Sequence, residues 1–173
     1  MRQGPLLAKL FEVSYGALFR NLEGITHEES LVFPRPAGNC LNWVLGHILA
    51  SRNRLLPLIG VPPVWPLEMA FLYSGIDEAE WSVDVAVDFR KIESDLAVSQ
   101  QELLNALEVI PDERLATEVS ENRTVASALG FLLFHESYHG GQVALLRRLL
   151  GKEGVIRAPS RRRRRSDATQ QIE

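Results

Sequence analysis

Three histidines are the residues in this sequence whose type and spacing best suit one chemical site. His135 and His139 stand four positions apart, so on an α-helix they share a face and can reach the same ion. They also belong to a series with alternating spacings of three and four, which is typical of a helix face turned towards a bundle interior. The members of that series are Ala128, Leu132, His135, His139, Gln142, Leu146 and Leu149.

Burial of these polar side chains needs a partner for each of them. An unpaired polar group in an apolar interior costs about 1–3 kcal/mol. For a single buried histidine the usual solution is a hydrogen bond to the backbone, whereas a metal ion would satisfy two neighbouring histidines together. His47 lies on a second helical line, between Val44 and Ser51, and can face the same interior from a neighbouring helix.

Three neutral imidazoles are a familiar ligand set for a divalent transition ion such as zinc or nickel. With His47, His135 and His139 as its protein ligands, the ion would keep open coordination positions. It could then lower the pKa of a bound water or thiol, or polarise a substrate. The alternative is a structural ion that ties two helices together without catalysis.

Two neighbours of these histidines are candidates for supporting roles. Glu136 lies about 100° around the helix from His135, where it can accept a proton or form an ion pair. Gln142 stands one turn after His139, where it can orient a ligand or bond to another helix. His27 lies in a polar connection and is interpreted as a solvated loop residue.

The same run also matches the zinc-protease signature H-E-x-x-H, in which the glutamate is the general base. The extended form of that signature needs glycine at 142 and histidine at 145, where this chain has Gln142 and Leu145. No strand is predicted that could bind a peptide as an added strand. The peptidase interpretation is therefore disfavoured.

Four helices are needed to position these side chains. Apolar periodicity predicts helices at about 5–22, from an N-cap at Asn39 to about 57–60, from Phe89 to about Pro111, and from Val125 to Gly151. The prediction is an all-α four-helix bundle. A long crossover joins the second and third helices, with three prolines beside Trp65, Phe71 and Tyr73, and it either packs along the bundle or covers a site as a lid.

Composition favours one domain at residues 1–157 and a basic, disordered tail at 158–173. The net charge of −3 gives no general preference for nucleic acid, so binding through the five arginines at 161–165 is disfavoured. Cys40 is the only cysteine and is expected to be a small buried residue. Without a disulfide, a leader or an apolar run of about 18 residues, the expected location is the cytoplasm, with no membrane association.

The strings HESYHGGQVALLRRLLG at 135–151 and NWVLGH at 42–47 resemble the motifs of the DinB-like, or YfiT-like, superfamily, as does the aromatic crossover at 65–75. The resemblance covers residues 5–151. It implies a four-helix bundle, often paired as a homodimer, with His47, His135 and His139 as metal ligands. Family members of known activity include metal-dependent enzymes that use low-molecular-weight thiols, as S-transferases or isomerases, and many others have no assigned reaction. The arginine tail has no counterpart in the family pattern.

Overall fold

The protein is described by a computed structural model that covers residues 2–75 and 81–156. Helices account for most of this part of the chain, and four of them are long. The helices are α1 (Gln3–Arg20), α2 (His27–Ser30), α3 (Leu41–Leu55), α4 (Leu67–Leu72), α5 (Phe89–Val109), α6 (Asp112–Leu115) and α7 (Val125–Leu149), with single 3-10 turns at Leu56–Ile59 and Val83–Val85. The predicted all-α class is confirmed.

The four long helices form the bundle. Helices α1 and α3 each pack against both α5 and α7, so α1 and α3 occupy opposite corners. The N-cap of α7 is Thr124, whose hydroxyl accepts from the Ser127 amide in a capping box, and the helix stops before Gly151, whose φ is +78°. The helix that carries His135 and His139 is therefore fixed at both ends by local sequence.

Some predicted boundaries need correction. The first helix starts at Gln3 and ends at Arg20, two residues earlier than predicted at each end. The N-cap of α3 is Cys40 and not Asn39, because Cys40 has the extended backbone and its carbonyl accepts the first helical bond, from Val44. Cys40 is fully buried, as predicted.

The sequence analysis missed the short helices α2, α4 and α6 in the described ranges, and also a short β-hairpin. His27, predicted to be a solvated loop residue, begins α2 and is half-buried, and its Nδ1 accepts from the Phe89 amide. Strand β1 (Glu118–Ser120) pairs antiparallel with β2 (Arg123–Thr124). The turn between them places Asn122 at φ +58°, a conformation that asparagine tolerates better than most residues. The hairpin leads directly into α7 and holds Arg123 beside that helix.

The crossover between α3 and α5 packs along the bundle where it is described. Trp65 is buried with its indole N–H donated to Asp95, and Tyr73 is fully buried, while Phe71 is exposed. Nothing in the described helices is long and apolar enough to span a membrane. The whole of the predicted tail at 158–173, including the basic stretch 161–165, lies outside the described residues.

Candidate metal centre

The structure brings His47 from α3 together with His135 and His139 from α7. The Nε2 atom of His135 lies 3.0 Å from His47 Nε2 and 3.2 Å from His139 Nε2. The three ligand atoms all lie within 4.8 Å of one another, and no other group of three possible ligands in the described ranges converges in this way. The predicted cluster of three histidines is therefore present.

The second ring nitrogen of two of these histidines has a hydrogen-bond acceptor. His47 Nδ1 lies 2.7 Å from the carbonyl oxygen of Tyr73, and His139 Nδ1 lies 2.7 Å from Gln142 Oε1. A carbonyl oxygen only accepts, so each Nδ1 carries the proton and donates it. In a neutral ring this leaves the Nε2 lone pair free and directed at the shared centre.

All three rings are held in their neutral form. Burial, followed by the neighbouring His139, His47 and Arg54, lowers the pKa of His135 to about 4. Burial also lowers the pKa of His47 and His139, although their bonds to Tyr73 and Gln142 act in the opposite direction. Neutral imidazole is the form that binds a metal ion.

This donor set fits a divalent transition ion. His47 and His139 both present Nε2 lone pairs, and at most one Nε2–H, that of His135, is available to the two of them. The buried Nδ1 of His135 has no partner among the described residues. A cation at the centre would accept all three lone pairs. Two helices would then supply three nitrogen ligands to one site, and coordination positions would stay open for water or a substrate.

The surroundings of His47 keep its ring in place. Trp43 stacks on the imidazole with ring centroids 4.8 Å apart and planes 9° from parallel. The carbonyl of Tyr73 reaches His47 because the Tyr73 ring packs directly on Gly46, where an added Cβ would come within 2.1 Å of that ring. The Tyr73 hydroxyl donates to Asn42 and accepts from the Val87 amide, which fixes the crossover.

Glu136 lies in an ion pair inside the core. Arg52 Nε donates to Glu136 Oε1 over 2.6 Å and its Nη2 donates to Oε2 over 2.8 Å, and both side chains are almost fully buried. Arg52 also donates to Ser99 Oγ and Gln100 Oε1. Both carboxylate oxygens of Glu136 are therefore occupied by one guanidinium, unlike the free general base that a zinc-protease interpretation requires.

The inward face of α7 differs from the predicted series at one end. Leu149 is 61% exposed, whereas Glu136 and Val143 are buried. The inward line therefore includes Glu136, and His135 lies at its edge, half-buried. The reason is that 3.6 residues per turn shift a heptad-like series sideways over the length of a 25-residue helix.

Arg52 and the carbonyl of Tyr73 are the site-supporting groups that sequence reasoning missed. A signal for Arg52 exists, because it shares its face of α3 with Ile48, Leu49 and Leu56, all of which are buried. An arginine in such a line needs a buried acid, and Glu136 supplies it from 84 residues away. No sequence signal points to a backbone carbonyl.

Two cavities lie beside the histidine cluster. One, of about 380 Å³, reaches His135 and is also lined by Arg54, Arg123 and Phe131. The other, of about 330 Å³, reaches Gln142 but none of the three histidines. The first cavity therefore gives a small molecule the direct approach to a predicted metal ligand.

Comparisons with known proteins agree with this fold. The family model of the DinB superfamily matches residues 10–143. A conserved protein from Enterococcus faecalis, known from its crystal structure, is similar with a TM-score of 0.69 and 22% identity, over 88% of this chain and 99% of that one, a likeness that shows the fold alone. No curated protein matches the sequence. Since the family model spans more than half of the chain, this protein belongs to the DinB superfamily.

Proposed function

We propose that the chain binds one divalent transition ion, zinc or nickel, through the Nε2 atoms of His47, His135 and His139, and that it is a metal-dependent enzyme. The observation that carries the proposal is the convergence of three imidazoles, two of which have their Nδ1 atoms fixed by hydrogen bonds. When bound, the ion supplies Lewis acidity and lowers the pKa of a thiol or water. The reaction is S-transfer from a low-molecular-weight thiol to a small electrophile, or hydrolysis.

Residues around the cluster orient the histidine rings and shield them from solvent. Tyr73 and Gln142 hold the rings of His47 and His139 at the angles that direct both Nε2 atoms inward. Trp43 shields one face of His47. Gln142 and Glu136 are the predicted supporting residues of the reaction, and the buried ion pair gives Glu136 the role of a positioning residue that fixes α7 on α3.

Metal analysis tests the binding proposal directly. We expect one ion per chain in the wild type and loss of that ion in His47→Ala, His135→Ala and His139→Ala. His27→Ala is the matched control, because it removes the one other histidine of the chain, which lies outside the cluster. Equal occupancy in all five proteins, measured by mass spectrometry after gel filtration, would overturn the proposal.

Chelation distinguishes an enzyme from a protein with a structural ion. For the enzyme we expect turnover of thiol and aryl halide, or of an activated ester, that disappears with chelator while the fold persists at assay temperature. A structural ion is the second candidate, since the ion would link α3 to α7. Unfolding on chelation, with no turnover of either substrate pair before it, would establish the structural ion and exclude the enzyme.

The proposed partner is a second copy of this chain. Five large apolar side chains lie within about 60° on the outer face of α7, and all are exposed. They are Phe131, Phe134, Tyr138, Leu145 and Leu149. A stripe of this kind, uncovered in the monomer, is typical of a protein interface.

Sedimentation tests this homodimer. We expect the wild type to sediment as a dimer and Phe134→Asp to sediment as a monomer. Val98→Asp is the control, because Val98 is also exposed but lies on α5. A monomeric wild type at micromolar concentration would contradict the proposal.

A further inference from the structure

The cavity that reaches His135 carries two positive charges. Arg54 from the end of α3 and Arg123 from the β-hairpin both line it, on the same cavity of about 380 Å³ as His135 itself. Its size is at the lower end of the range for small-molecule sites, roughly 300–1,000 Å³. The remaining wall includes the apolar side chains of Leu55, Phe131 and Leu132.

Neither guanidinium is neutralised by a carboxylate in the described part of the chain. Arg54 donates to Ser51 Oγ over 3.2 Å, and Arg123 lies over the ring of Phe131 with its central carbon 5.8 Å from the centroid. The ion pairs of the described residues involve other side chains. The contrast with Arg52 is direct, since that guanidinium has its carboxylate on Glu136.

This arrangement is a local feature of an otherwise acidic chain. The net charge is −3, so two unneutralised arginines on one cavity are not a consequence of a basic composition. Guanidinium groups bind carboxylate and phosphate oxygens through paired hydrogen bonds. An apolar wall with Phe131 would contact the body of such a ligand, and His135 lines the same cavity.

We infer that Arg54 and Arg123 form an anion subsite, and that the small substrate of this protein carries a carboxylate or phosphate group. The inference rests on the proposed function for the identity of the neighbouring centre, but the subsite itself depends only on the two arginines and the cavity. The anionic end of the substrate binds the arginines. Its reacting end then lies towards the three histidines.

Calorimetry on the full chain, as purified and with zinc supplied, tests the subsite. The probes are benzoate, phenyl phosphate and the neutral isostere benzamide, and the better-bound anion identifies the group. We expect an anion to bind about 10-fold more tightly than benzamide, and the preference to disappear in the Arg54→Gln, Arg123→Gln double variant. Arg114→Gln is the control, because that exposed arginine lies on α6, away from the cavity.

The same measurements separate the subsite from the metal centre. If the preference persists in the double variant but disappears in His139→Ala, the metal and not the arginines binds the anion, and the inference is overturned. Equal binding of all three probes overturns it as well. If metal analysis finds no ion while the preference still requires Arg54 and Arg123, the proposed function fails and the subsite stands.

Kinetics then identify which substrate carries the charge. The pairs are 3-mercaptopropionate with 3-mercaptopropionamide, and 4-chloro-3-nitrobenzoate with its amide. We expect kcat/KM for one charged member to fall about 10-fold more in the double variant than kcat/KM for its neutral partner does, with the metal retained. No selective loss for either charged member would contradict a role of the subsite in substrate binding.

Discussion

Two polar clusters join α3 to α7, and they differ in whether the protein alone completes them. The Arg52–Glu136 pair has opposite charges, two short hydrogen bonds and further acceptors on Ser99 and Gln100. The histidine cluster brings three Nε2 atoms together with at most one Nε2–H among them, and it leaves His135 Nδ1 without a partner in the described structure. The buried imidazole nitrogens lack a positively charged partner, so a cation is the ligand that this cluster would bind.

The comparison explains why the H-E-x-x-H run is misleading in this fold. His135 and Glu136 are adjacent in sequence, but they belong to different clusters because neighbouring residues point about 100° apart on a helix. His135 turns towards His47 and Glu136 towards Arg52. The H-E-x-x-H run therefore contains residues of two separate clusters, the histidine cluster and the buried ion pair.

The largest expected effect comes from breaking the Arg52–Glu136 pair, the cluster that the protein completes by itself. Arg52→Met leaves the buried Glu136 carboxylate without its cation, and we expect the free energy of unfolding to fall by about 3–5 kcal/mol. Urea unfolding followed by circular dichroism measures it. Glu12→Gln, which breaks the exposed pair with Lys9, is the control and is expected to change stability by less than about 1 kcal/mol. A similar small loss in Arg52→Met would remove the distinction between the clusters.

The second effect is completion of the histidine cluster by metal. At a free zinc concentration 100 times its Kd, we expect the free energy of unfolding to rise by about 2.7 kcal/mol, because the ion binds the folded chain. Thermal unfolding with zinc and with chelator measures the difference. His135→Ala should show no such rise, and an equal rise in that variant would indicate zinc binding elsewhere.

A smaller effect is expected from the acceptor that orients His139. Gln142→Leu removes the oxygen bonded to Nδ1, and we expect metal affinity to fall about 10–100-fold with little change in the stability of the metal-free protein. Competition with a chromogenic chelator measures the affinity. Gln101→Leu is the control, since Gln101 is exposed on α5 and its side chain donates to Asn105 on the same helix. Unchanged affinity in Gln142→Leu would reduce Gln142 to a packing residue.

The smallest effect concerns acid stability without metal. In the folded chain the pKa of His135 is lowered from 6.5 to about 4. At a pH between these two values the unfolded chain therefore binds the proton more readily than the folded chain does. Stability of the metal-free protein should therefore fall as the pH is lowered from 7 to 5. His135→Gln should show a shallower fall in urea titrations at each pH, and identical slopes would mean that the ring is more solvated than its burial indicates.

The sequence was a good guide wherever a local pattern decides the outcome. Apolar periodicity located the four long helices, and with Gly151 it located the ends of α7 to within two residues. The spacing of His135 and His139 placed both imidazoles on one face. The hairpin was missed because its strands are only three and two residues long and have little periodicity.

The sequence by itself determined the four long helices, the pair His135 and His139, and the presence of a third histidine on a neighbouring helix. Only the tertiary structure decided the rest. It joined His47 to that pair, gave Glu136 to Arg52, and placed the Tyr73 carbonyl behind His47. The physical reason is that helical period specifies which face a side chain occupies, while its partner is set by how the helices pack, across separations of 26 to 88 residues.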